Sequence, residues 1–320
     1  MAELPPPGMV ALPGGTFAMG SQAFYSEEAP VRHVRVDPFW IDETPVTNRQ
    51  FASFVEATGH RTMAEIAPDP CDYPGMDPAL AQPGSLVFEK TAGPVDLADL
   101  GQWWQFRLGA DWRHPTGPGS SLDGLEDHPV VHVTHGDALA YAQWAGKALP
   151  SEAEWEFAAR GGLEGRDYGW AADFADELAP GGVMLANYWQ GLFPFANTRE
   201  DGWERTSPVR SYPPNGYGLY DMIGNVWEHT ADWYAEPKLA AKTSPSACCT
   251  LDNPRGGRKG ESFDPATPGL KIARKVIKGG SHLCALNHCR RYRPAARFAQ
   301  AIDSPTSHGG IRCVIRVMTE

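Results

Sequence analysis

The sequence lacks any segment that would carry the chain into or across a membrane. It has no run of about 18 consecutive apolar residues, which excludes a transmembrane helix. Residues 1–7 have neither the basic region nor the apolar region of a signal peptide. We therefore predict a cytoplasmic protein that has no membrane partner.

Positive charge is scarce as well. Lys and Arg number 28 against 39 Asp and Glu, so the formal net charge is −11 and the isoelectric point is about 5.4. A nucleic-acid-binding protein needs a basic surface that attracts phosphates. The charge balance therefore argues against a nucleic-acid partner.

Several well-defined sequence motifs are missing. The chain has no P-loop for nucleotide phosphates, no Gly-x-Ser-x-Gly nucleophile turn and no glycine pattern for dinucleotides. It also has no EF-hand loop, no His-Glu-x-x-His helix and no second cysteine pair at zinc spacing. These absences argue against the enzyme and metal-site classes that the motifs define.

Glycine, proline and aromatic residues are abundant instead. The 320 residues include 34 Gly and 29 Pro, which break helices and argue against a helical bundle. The 11 Trp, 10 Tyr and 13 Phe still provide a large core. With no internal repeat or linker, we predict one irregular, loop-rich α+β domain over residues 9–320, preceded by a tail at residues 1–8.

Local patterns predict the first regular elements. Residues 9–20 are apolar and punctuated by Gly, which predicts a hairpin. Residues 31–36 alternate apolar and polar side chains, as strands do. Thr47 and Gly59 mark the start and end of a helix. Residues 60–125 show no strong periodicity and predict a long loop region.

The second half of the chain has fewer regular patterns. Residues 128–133 predict a strand, and residues 137–145 predict a helix. Ser151 forms a capping box with the glutamate three positions later, which predicts the start of another helix. Residues 276–281 and 311–316 predict late strands.

Six cysteines are the main chemical feature of the sequence. In a reducing compartment, cysteines of a long chain are more often catalytic or metal-binding than bridged. Cys284 and Cys289 lie five residues apart. Four arginines follow them closely, namely Arg290, Arg291, Arg293 and Arg297. Cations favour the thiolate form, and two thiolates suit a soft ion such as Cu(I). On spacing alone, buried structural cysteines or one ordinary disulfide explain the pair equally well.

Two further groups of polar residues are candidate metal ligands. Carboxylate and amide oxygens in Gly-rich loops suit Ca²⁺, although Asn and Asp also occur in turns for conformational reasons alone. These candidates are Asn187, Asp201, Asp221 and Glu228. A second group contains only histidines, without metal-motif spacing, and we interpret it as turn or core residues: His114, His128, His132 and His135. Cys71, Cys248 and Cys249 receive no assigned role.

Motifs along nearly the whole chain resemble the formylglycine-generating enzyme, or sulfatase-modifying factor, family. The resembling segments are residues 9–20, 45–48, 128–133, 145–156, 215–228 and 279–289. Two motifs are typical of the superfamily, Glu152-Ala153-Glu154-Trp155-Glu156 and Gly224-Asn225-Val226-Trp227-Glu228, but relatives with other activities share them. The feature typical of the true oxidase is the pair Cys284 and Cys289 after Gly-Gly-Ser.

The resemblance implies a fold and an activity. The fold is an irregular, loop-rich α/β domain related to C-type lectins. The activity is oxidation, with O₂, of a sulfatase cysteine within a Cys-x-Pro-x-Arg segment to Cα-formylglycine. The resemblance further implies that Cys284 and Cys289 bind Cu(I) as two thiolates, which the substrate thiol joins. Ser281 and Trp227 match positions that line the oxygen and thiol pocket.

Two structural Ca²⁺ sites are also implied by the resemblance. The first comprises Asn187 and Asp201 with the carbonyls of Tyr188 and Trp203. The second comprises Asp221 and Glu228 with the carbonyls of Met222, Gly224 and Val226. Both sites would hold loops that lack strand hydrogen bonds.

The chain departs from the secreted members of this family. The positions that match their two structural disulfides hold Ala142, Ala159 and Pro294, and only Cys313 remains. We therefore expect neither disulfide, a buried free thiol at Cys313 and a cytoplasmic enzyme. Ala285 and His288 also differ from the best-known secreted members, which affects the details of catalysis rather than the copper pair.

Two other functions are alternatives to the oxidase. A non-heme iron sulfoxide synthase of the same superfamily usually has an N-terminal helical domain that supplies histidines. We expect none here, because the family-like segment begins near Met9. A non-catalytic, lectin-like binding module has no need for paired cysteines. We predict a monomer.

Overall fold

The computed structural model describes residues 4–170, 182–236 and 250–317. These residues form three α-helices, α1 (Asn48–Thr58), α2 (His135–Trp144) and α3 (Glu152–Ala159). The strands of the described residues are β1 (Met9–Leu12), β2 (Gly15–Met19), β3 (Arg32–Val36), β4 (Phe39–Asp42), β5 (Gly84–Phe88), β6 (Trp104–Leu108), β7 (Trp227–Trp233), β8 (Leu251–Asp252), β9 (Arg274–Lys278), β10 (Arg297–Ala301), β11 (Gly309–Gly310) and β12 (Val314–Arg316). None of the helices described is long and apolar enough to span a bilayer.

The strands assemble into four small sheets. Their orders are β1-β4-β12, β10-β9-β7-β11, β2-β3-β8 and β5-β6. In the four-stranded sheet, β7 pairs antiparallel with β9, which places Glu228 opposite Lys278. This pairing brings the Gly-Asn-Val-Trp-Glu motif beside the strand that leads to the cysteine pair. Most of the chain between the sheets is loop, which confirms the predicted irregular α/β fold.

Capping residues delimit the helices as predicted. Thr47 caps α1 in a reciprocal box with Gln50, and Gly59 ends the helix with φ of 66°. Ser151 caps α3 in the same way with Glu154. The predicted second helix exists but begins at His135. Capping signals located α1 and α3, whereas the apolar pattern of residues 137–145 located α2 without its cap, Thr134.

Strand pairing was predicted less well. The expected hairpin at residues 9–20 is wrong, because β1 pairs with β4 and β2 pairs with β3. Residues 128–133 contain only an isolated bridge from Pro129 to Thr47, and His132 has a φ of 61°, which no strand accommodates. The predicted loop at residues 60–125 contains the paired strands β5 and β6.

Three buried apolar clusters fill the interior. The first surrounds α3 and contains Trp155, Trp227 and Cys284. The second joins α1 and α2 and contains Cys313. The third is largely aromatic and contains Ala285. Since Cys284 and Ala285 are neighbours in sequence, the first cysteine of the pair lies where the first and third clusters meet.

Candidate active site

The Glu-Ala-Glu-Trp-Glu motif fixes the scaffold of the site. It forms most of α3, and each of its glutamates pairs with a distant cation on a strand. The pairs are Glu152 with Arg297 at 2.7 Å, Glu154 with Arg316 at 2.7 Å and Glu156 with Lys278 at 3.0 Å. Buried charges are costly unless they are paired. The pairs of Glu152 and Glu156, which are buried, and the more exposed pair of Glu154 therefore tie α3 to residues of β9, β10 and β12.

The Gly-Asn-Val-Trp-Glu motif forms a tight turn that enters β7. Gly224 has a φ of 74°, and a Cβ atom there would lie 2.3 Å from the Asn187 carbonyl oxygen, so only glycine fits. The side-chain amide of Asn225 accepts from the Ser207 N–H at 3.0 Å and donates to the Ser207 carbonyl at 3.1 Å. The Asn225 carbonyl accepts from the His282 N–H at 3.0 Å. The turn is thereby joined to the segment that carries the cysteines.

Two successive turns bring Cys284 and Cys289 together. The Cys284 N–H donates to the Ser281 carbonyl at 2.9 Å, and the Cys289 N–H donates to the Ala285 carbonyl at 3.0 Å. The two Sγ atoms lie 3.3 Å apart, and both cysteines are free thiols. Cys284 is buried, whereas Cys289 is partly exposed. The structure therefore favours a chemical pair over the ordinary disulfide that spacing alone left open.

The two thiols differ in acidity. Burial raises the pKa of Cys284 well above its usual value. A hydrogen bond from the Cys284 S–H lowers the pKa of Cys289 to about 7, and the charge of Arg291 contributes to that shift. Near neutral pH Cys284 therefore remains a thiol, whereas Cys289 is partly in the thiolate form.

Only part of the predicted arginine cluster faces the cysteines. The Arg291 guanidinium stacks on the Tyr25 ring at 3.9 Å and pairs with Glu27. The other two arginines with carboxylate partners point away, Arg293 to Glu28 and Arg297 to Glu152. Arg291 is thus the cation of this cluster that lowers the pKa of Cys289 and favours its thiolate form.

Both predicted pocket residues are buried. Trp227 is buried in the same apolar cluster as Cys284. Ser281 is fully buried and begins the turn that ends at Cys284. A residue that the sequence did not single out, His308, contacts both of them. Its Nδ1 lies 3.2 Å from Ser281 Oγ, and its carbonyl accepts from the Trp227 N–H at 2.8 Å. No sequence spacing signalled this contact.

Ala285 and His288 are accommodated by aromatic packing. Ala285 is completely buried. The His288 ring stacks on Phe193 with centroids 4.6 Å apart and meets Trp103 edge-on at 5.6 Å. Burial lowers the pKa of His288, so its ring is neutral beside the cysteines. These departures therefore change the walls of the site and leave the sulfur pair in place.

The sulfur pair fits a soft metal ion. Two thiol groups that face each other across 3.3 Å offer soft ligands, which suit Cu(I) better than a hard cation. Among the residues that the structure describes, no group of three or more His, Cys, Asp or Glu side chains is close enough to hold a metal. A two-sulfur donor set is thus the one available at this site, and a three-ligand iron centre gains no support from the described residues.

The first predicted calcium site is partly assembled. Gln190 Nε2 donates to Asp201 Oδ2 at 3.0 Å and also contacts the Tyr188 carbonyl. Trp203 donates its N–H to Asp201 Oδ1 at 2.9 Å, and the Asn187 amide donates to the Arg205 carbonyl at 2.8 Å. The Asp201 carboxylate and the Tyr188 carbonyl thus face one point, which the Gln190 amide fills. Oxygens arranged in this way fit a hard cation.

The second predicted calcium site contains two buried carboxylates in different surroundings. Asp221 accepts from the Arg210 N–H at 2.9 Å, and burial raises its pKa to about 6. Glu228 is fully buried and accepts from Arg312 Nε at 2.9 Å and from Trp155 Nε1 at 2.6 Å. Met222, Gly224 and Val226 lie on the turn between the two carboxylates. Asp221 has the acceptor capacity that a cation needs, whereas Glu228 already has a cationic partner.

The remaining cysteines have separate environments. Cys313 is a buried free thiol in the same cluster as Ala142, and its N–H donates to Asp42 Oδ2 at 3.0 Å. Cys71 is an exposed free thiol. Cys248 and Cys249 lie outside the described residues. The expected free thiol at Cys313 is confirmed.

The fold and the site together define a loop-rich α/β protein that contains a pair of free cysteines, one buried and one partly exposed. The chain belongs to the family of the sulfatase-modifying factor enzyme 1-like domain, whose family model matches residues 1–317. This confirms the family that the motifs resembled.

Relatives of known name cover nearly the whole chain. The formylglycine-generating enzyme of Mycobacterium tuberculosis is 50% identical over 307 residues, which are 96% of this chain and 97% of the relative. That of Streptomyces coelicolor is 46% identical over 310 residues, which are 96% and 88% of the two chains. The family also contains an inactive Cα-formylglycine-generating enzyme 2 of Mus musculus, 44% identical over 236 residues, or 71% of this chain and 70% of that protein. Family membership alone therefore does not decide activity.

A solved structure supports the fold independently. PvdO from Pseudomonas aeruginosa matches with a TM-score of 0.61 at 24% identity, over 97% of this chain and 94% of that one. At this identity the likeness concerns the architecture only. It agrees with an irregular α/β domain that contains few helices.

Proposed function

We propose that this protein oxidises a cysteine in a Cys-x-Pro-x-Arg segment of a sulfatase to Cα-formylglycine, using Cu(I) and O₂, and so activates the sulfatase. The observation that carries the proposal is the pair of free thiols 3.3 Å apart at Cys284 and Cys289. Relatives that are 46–50% identical over almost the full chain and are named formylglycine-generating enzymes support it.

Electron counting defines what the reaction needs. Conversion of the substrate CH₂–SH group to an aldehyde releases two electrons and leaves the sulfur as H₂S. Reduction of O₂ to water takes four electrons. Two molecules of an external thiol supply the other two electrons and become a disulfide. The balanced reaction consumes one substrate cysteine, one O₂ and two thiols, and yields one aldehyde, one H₂S, one disulfide and one water.

The chain's own residues divide these tasks. Cys284 and Cys289 would hold Cu(I), which supplies one-electron redox chemistry with O₂ when bound. Cys289 is partly exposed and acidic, so its sulfur is on the side that a substrate thiol reaches. Cys284, Ser281 and Trp227 are buried, so water is excluded from the side of the site opposite the substrate thiol. Exclusion of water limits side reactions of the reactive groups.

Structural calcium is part of the same proposal. The first site would use Asn187 and Asp201 with the carbonyls of Tyr188 and Trp203. The second would use Asp221 and Glu228 with the carbonyls of Met222, Gly224 and Val226. Burial raises the pKa of Asp221 to about 6, so a bound cation would offset the cost of its buried negative charge. The Asp201 and Tyr188 oxygens that meet at the Gln190 amide also support the assignment. We also propose a monomeric, cytoplasmic enzyme, and the free thiol of Cys313 supports a reducing compartment.

The proposal is tested with peptides. The copper-loaded protein is incubated in air with a thiol reductant and a Cys-x-Pro-x-Arg peptide, or with the matching Ser-x-Pro-x-Arg peptide as a substrate control. Mass spectrometry should show that the cysteine peptide alone loses one sulfur and two hydrogens and gains one oxygen. Cys284→Ala and Cys289→Ala should abolish the change, whereas Cys71→Ala, at an exposed free thiol, should retain it. Aldehyde formation by both active-pair variants would contradict the mechanism.

A further inference from the structure

His308 forms hydrogen bonds with both Ser281 and Trp227. Its Nδ1 lies 3.2 Å from Ser281 Oγ, and its backbone carbonyl accepts from the Trp227 N–H at 2.8 Å. The imidazole also meets Trp104 edge-on with centroids 4.8 Å apart. The turn that ends in β11 therefore places one side chain against the pocket from a part of the chain remote in sequence.

The hydrogen-bond partners of Ser281 define the direction of its hydroxyl. The Leu283 N–H donates to Ser281 Oγ at 3.2 Å, so the oxygen accepts there. Among the described residues, His308 Nδ1 is the other polar partner of this hydroxyl, and we assign the hydroxyl hydrogen to it. A hydroxyl that accepts once and donates once keeps one lone pair. Ser281 is thereby held in a single orientation beside Cys284.

This arrangement requires a neutral imidazole with an unprotonated Nδ1. Burial, together with the nearby rings of His282 and His132, lowers the pKa of His308 to about 3. The ring is therefore neutral over the whole range in which the protein is expected to work. Its proton resides on Nε2, because Nδ1 accepts from Ser281.

We infer that His308 is a positioning residue that fixes the hydroxyl of Ser281, and through it the polar wall of the cysteine site. The kinetic part of this inference rests on the proposed function, since it assumes that Ser281 acts in the oxidation. The structural part does not, because it concerns a hydrogen bond present without substrate or metal. Trp227 is held by the same residue through a backbone contact, which side-chain substitution leaves in place.

Nitrogen-15 NMR of the metal-free protein tests the hydrogen bond itself. His308 Nδ1 should show the shift of an unprotonated ring nitrogen, and Ser281→Ala should move that shift because the hydrogen-bond donor is lost. The ring nitrogens of His135, which lie outside this contact, provide the internal control. A protonated Nδ1, or a shift that Ser281→Ala leaves unchanged, would overturn the inference.

Kinetics test the positioning role with matched substitutions. His308→Leu removes the acceptor, whereas His308→Asn, of similar size, keeps an acceptor near the position of Nδ1. We expect His308→Leu to lower kcat by at least about tenfold with KM unchanged, and His308→Asn to restore most of kcat. His135→Leu serves as the control for the loss of another histidine.

A double substitution separates a shared role from two independent ones. If His308 acts through Ser281, Ser281→Ala/His308→Leu should be no slower than Ser281→Ala alone. Multiplied losses, or a wild-type kcat in His308→Leu, would overturn the inference. Melting curves verify that each variant folds. If His308→Leu does not fold, the NMR result and the rates of His308→Asn still test whether His308 positions the Ser281 hydroxyl. Absence of aldehyde with wild-type protein contradicts the proposed function instead, and the NMR measurement then decides the contact alone.

Discussion

The indole nitrogen of Trp155 donates a hydrogen bond to the buried carboxylate of Glu228 across 2.6 Å. This contact joins the two superfamily motifs, which are separated by about seventy residues of chain. Arg312 completes the arrangement by pairing with the same carboxylate at 2.9 Å. Each motif therefore helps to hold the other in place. Their role in this contact is structural and does not depend on catalysis.

Substitutions at this contact should destabilise the fold. Trp155→Phe removes one of the two donors to Glu228 Oε2 and leaves only Arg312 Nε there, and we expect a loss of about 1–3 kcal/mol in the free energy of unfolding. Glu228→Leu leaves the buried Arg312 unpaired and should cost about 3–5 kcal/mol. Urea unfolding measures both values.

An exposed ion pair supplies the control for this series. Arg49 pairs with Asp127 at 3.1 Å, and both side chains are largely exposed. Arg49→Ala should therefore cost less than about 1 kcal/mol. Equal losses in the free energy of unfolding for Arg49→Ala and Glu228→Leu would show that the buried Glu228–Arg312 pair stabilises the fold no more than an exposed pair does.

The cysteine pair should react asymmetrically with an alkylating reagent. In metal-free, reduced protein we expect iodoacetamide to modify Cys289 before Cys284, with a pH midpoint near the pKa of about 7. Cys284→Ala removes the hydrogen bond that lowers this pKa, so the midpoint should move to higher pH. Peptide mapping by mass spectrometry follows each cysteine.

Cys71 provides the reference thiol in the same experiment. It is exposed, and a hydrogen bond with Asp69 raises its pKa. Its alkylation should therefore require a higher pH than that of Cys289. Equal rates at Cys284 and Cys289, or an unchanged midpoint in Cys284→Ala, would contradict the assigned proton sharing.

Calcium should stabilise the folded protein. A ligand that binds only the folded state adds about 2.7 kcal/mol at a concentration one hundred times its Kd. Tm should therefore rise with Ca²⁺ and fall when a chelator is added. Asp201→Asn and Asp221→Asn should each reduce the rise, whereas Asp123→Asn, at an exposed loop position, should not. A Tm that does not change with Ca²⁺ would contradict both proposed calcium sites.

Buried His132 should make stability fall in mild acid. Its Nδ1 accepts from Ser85 Oγ at 2.6 Å, and its Nε2–H donates to the Pro115 carbonyl at 2.9 Å. Burial lowers its pKa to about 4, against about 6.5 in the unfolded chain. The unfolded state therefore binds more protons between these values, so stability is lost as pH falls, by up to about 3 kcal/mol at pH near 4.

A variant isolates this effect from other titrating groups. Burial also raises the pKa of Asp221 to about 6, which acts in the opposite direction over the same range. The informative quantity is thus the difference between wild type and His132→Asn, measured by urea unfolding at pH 7 and pH 5. The variant should lose less stability than wild type on acidification, and identical pH slopes would contradict the assignment.

Local signals in the sequence were sufficient for the helices and for the cysteine pair. Capping by Thr47 and Ser151 acts over three residues, so it is visible in the sequence. Cys284 and Cys289 are close enough for two turns to bring them together. Strand partners were not visible, because β1 pairs with β4 rather than with its neighbour β2, and such choices depend on the packing of the whole domain.

The roles of single polar residues were harder to predict. His308 reaches Ser281 across a sequence separation of 27 residues, and no periodicity marks that contact. Glu228 has the residue type of a calcium ligand, yet its nearest partners are Arg312 and Trp155. In both cases the decisive neighbours come from segments distant in sequence, so only the assembled fold identifies them.

The most direct test of the central claim is the stoichiometry of the reaction. Copper-loaded protein, a Cys-x-Pro-x-Arg peptide and an external thiol are combined, and O₂, aldehyde and oxidised thiol are measured together. The account predicts one O₂ consumed and two external thiols oxidised for each aldehyde formed, and no turnover in Cys284→Ala or Cys289→Ala. Aldehyde formed without O₂ consumption, or at wild-type rates after both cysteines are replaced, would contradict it.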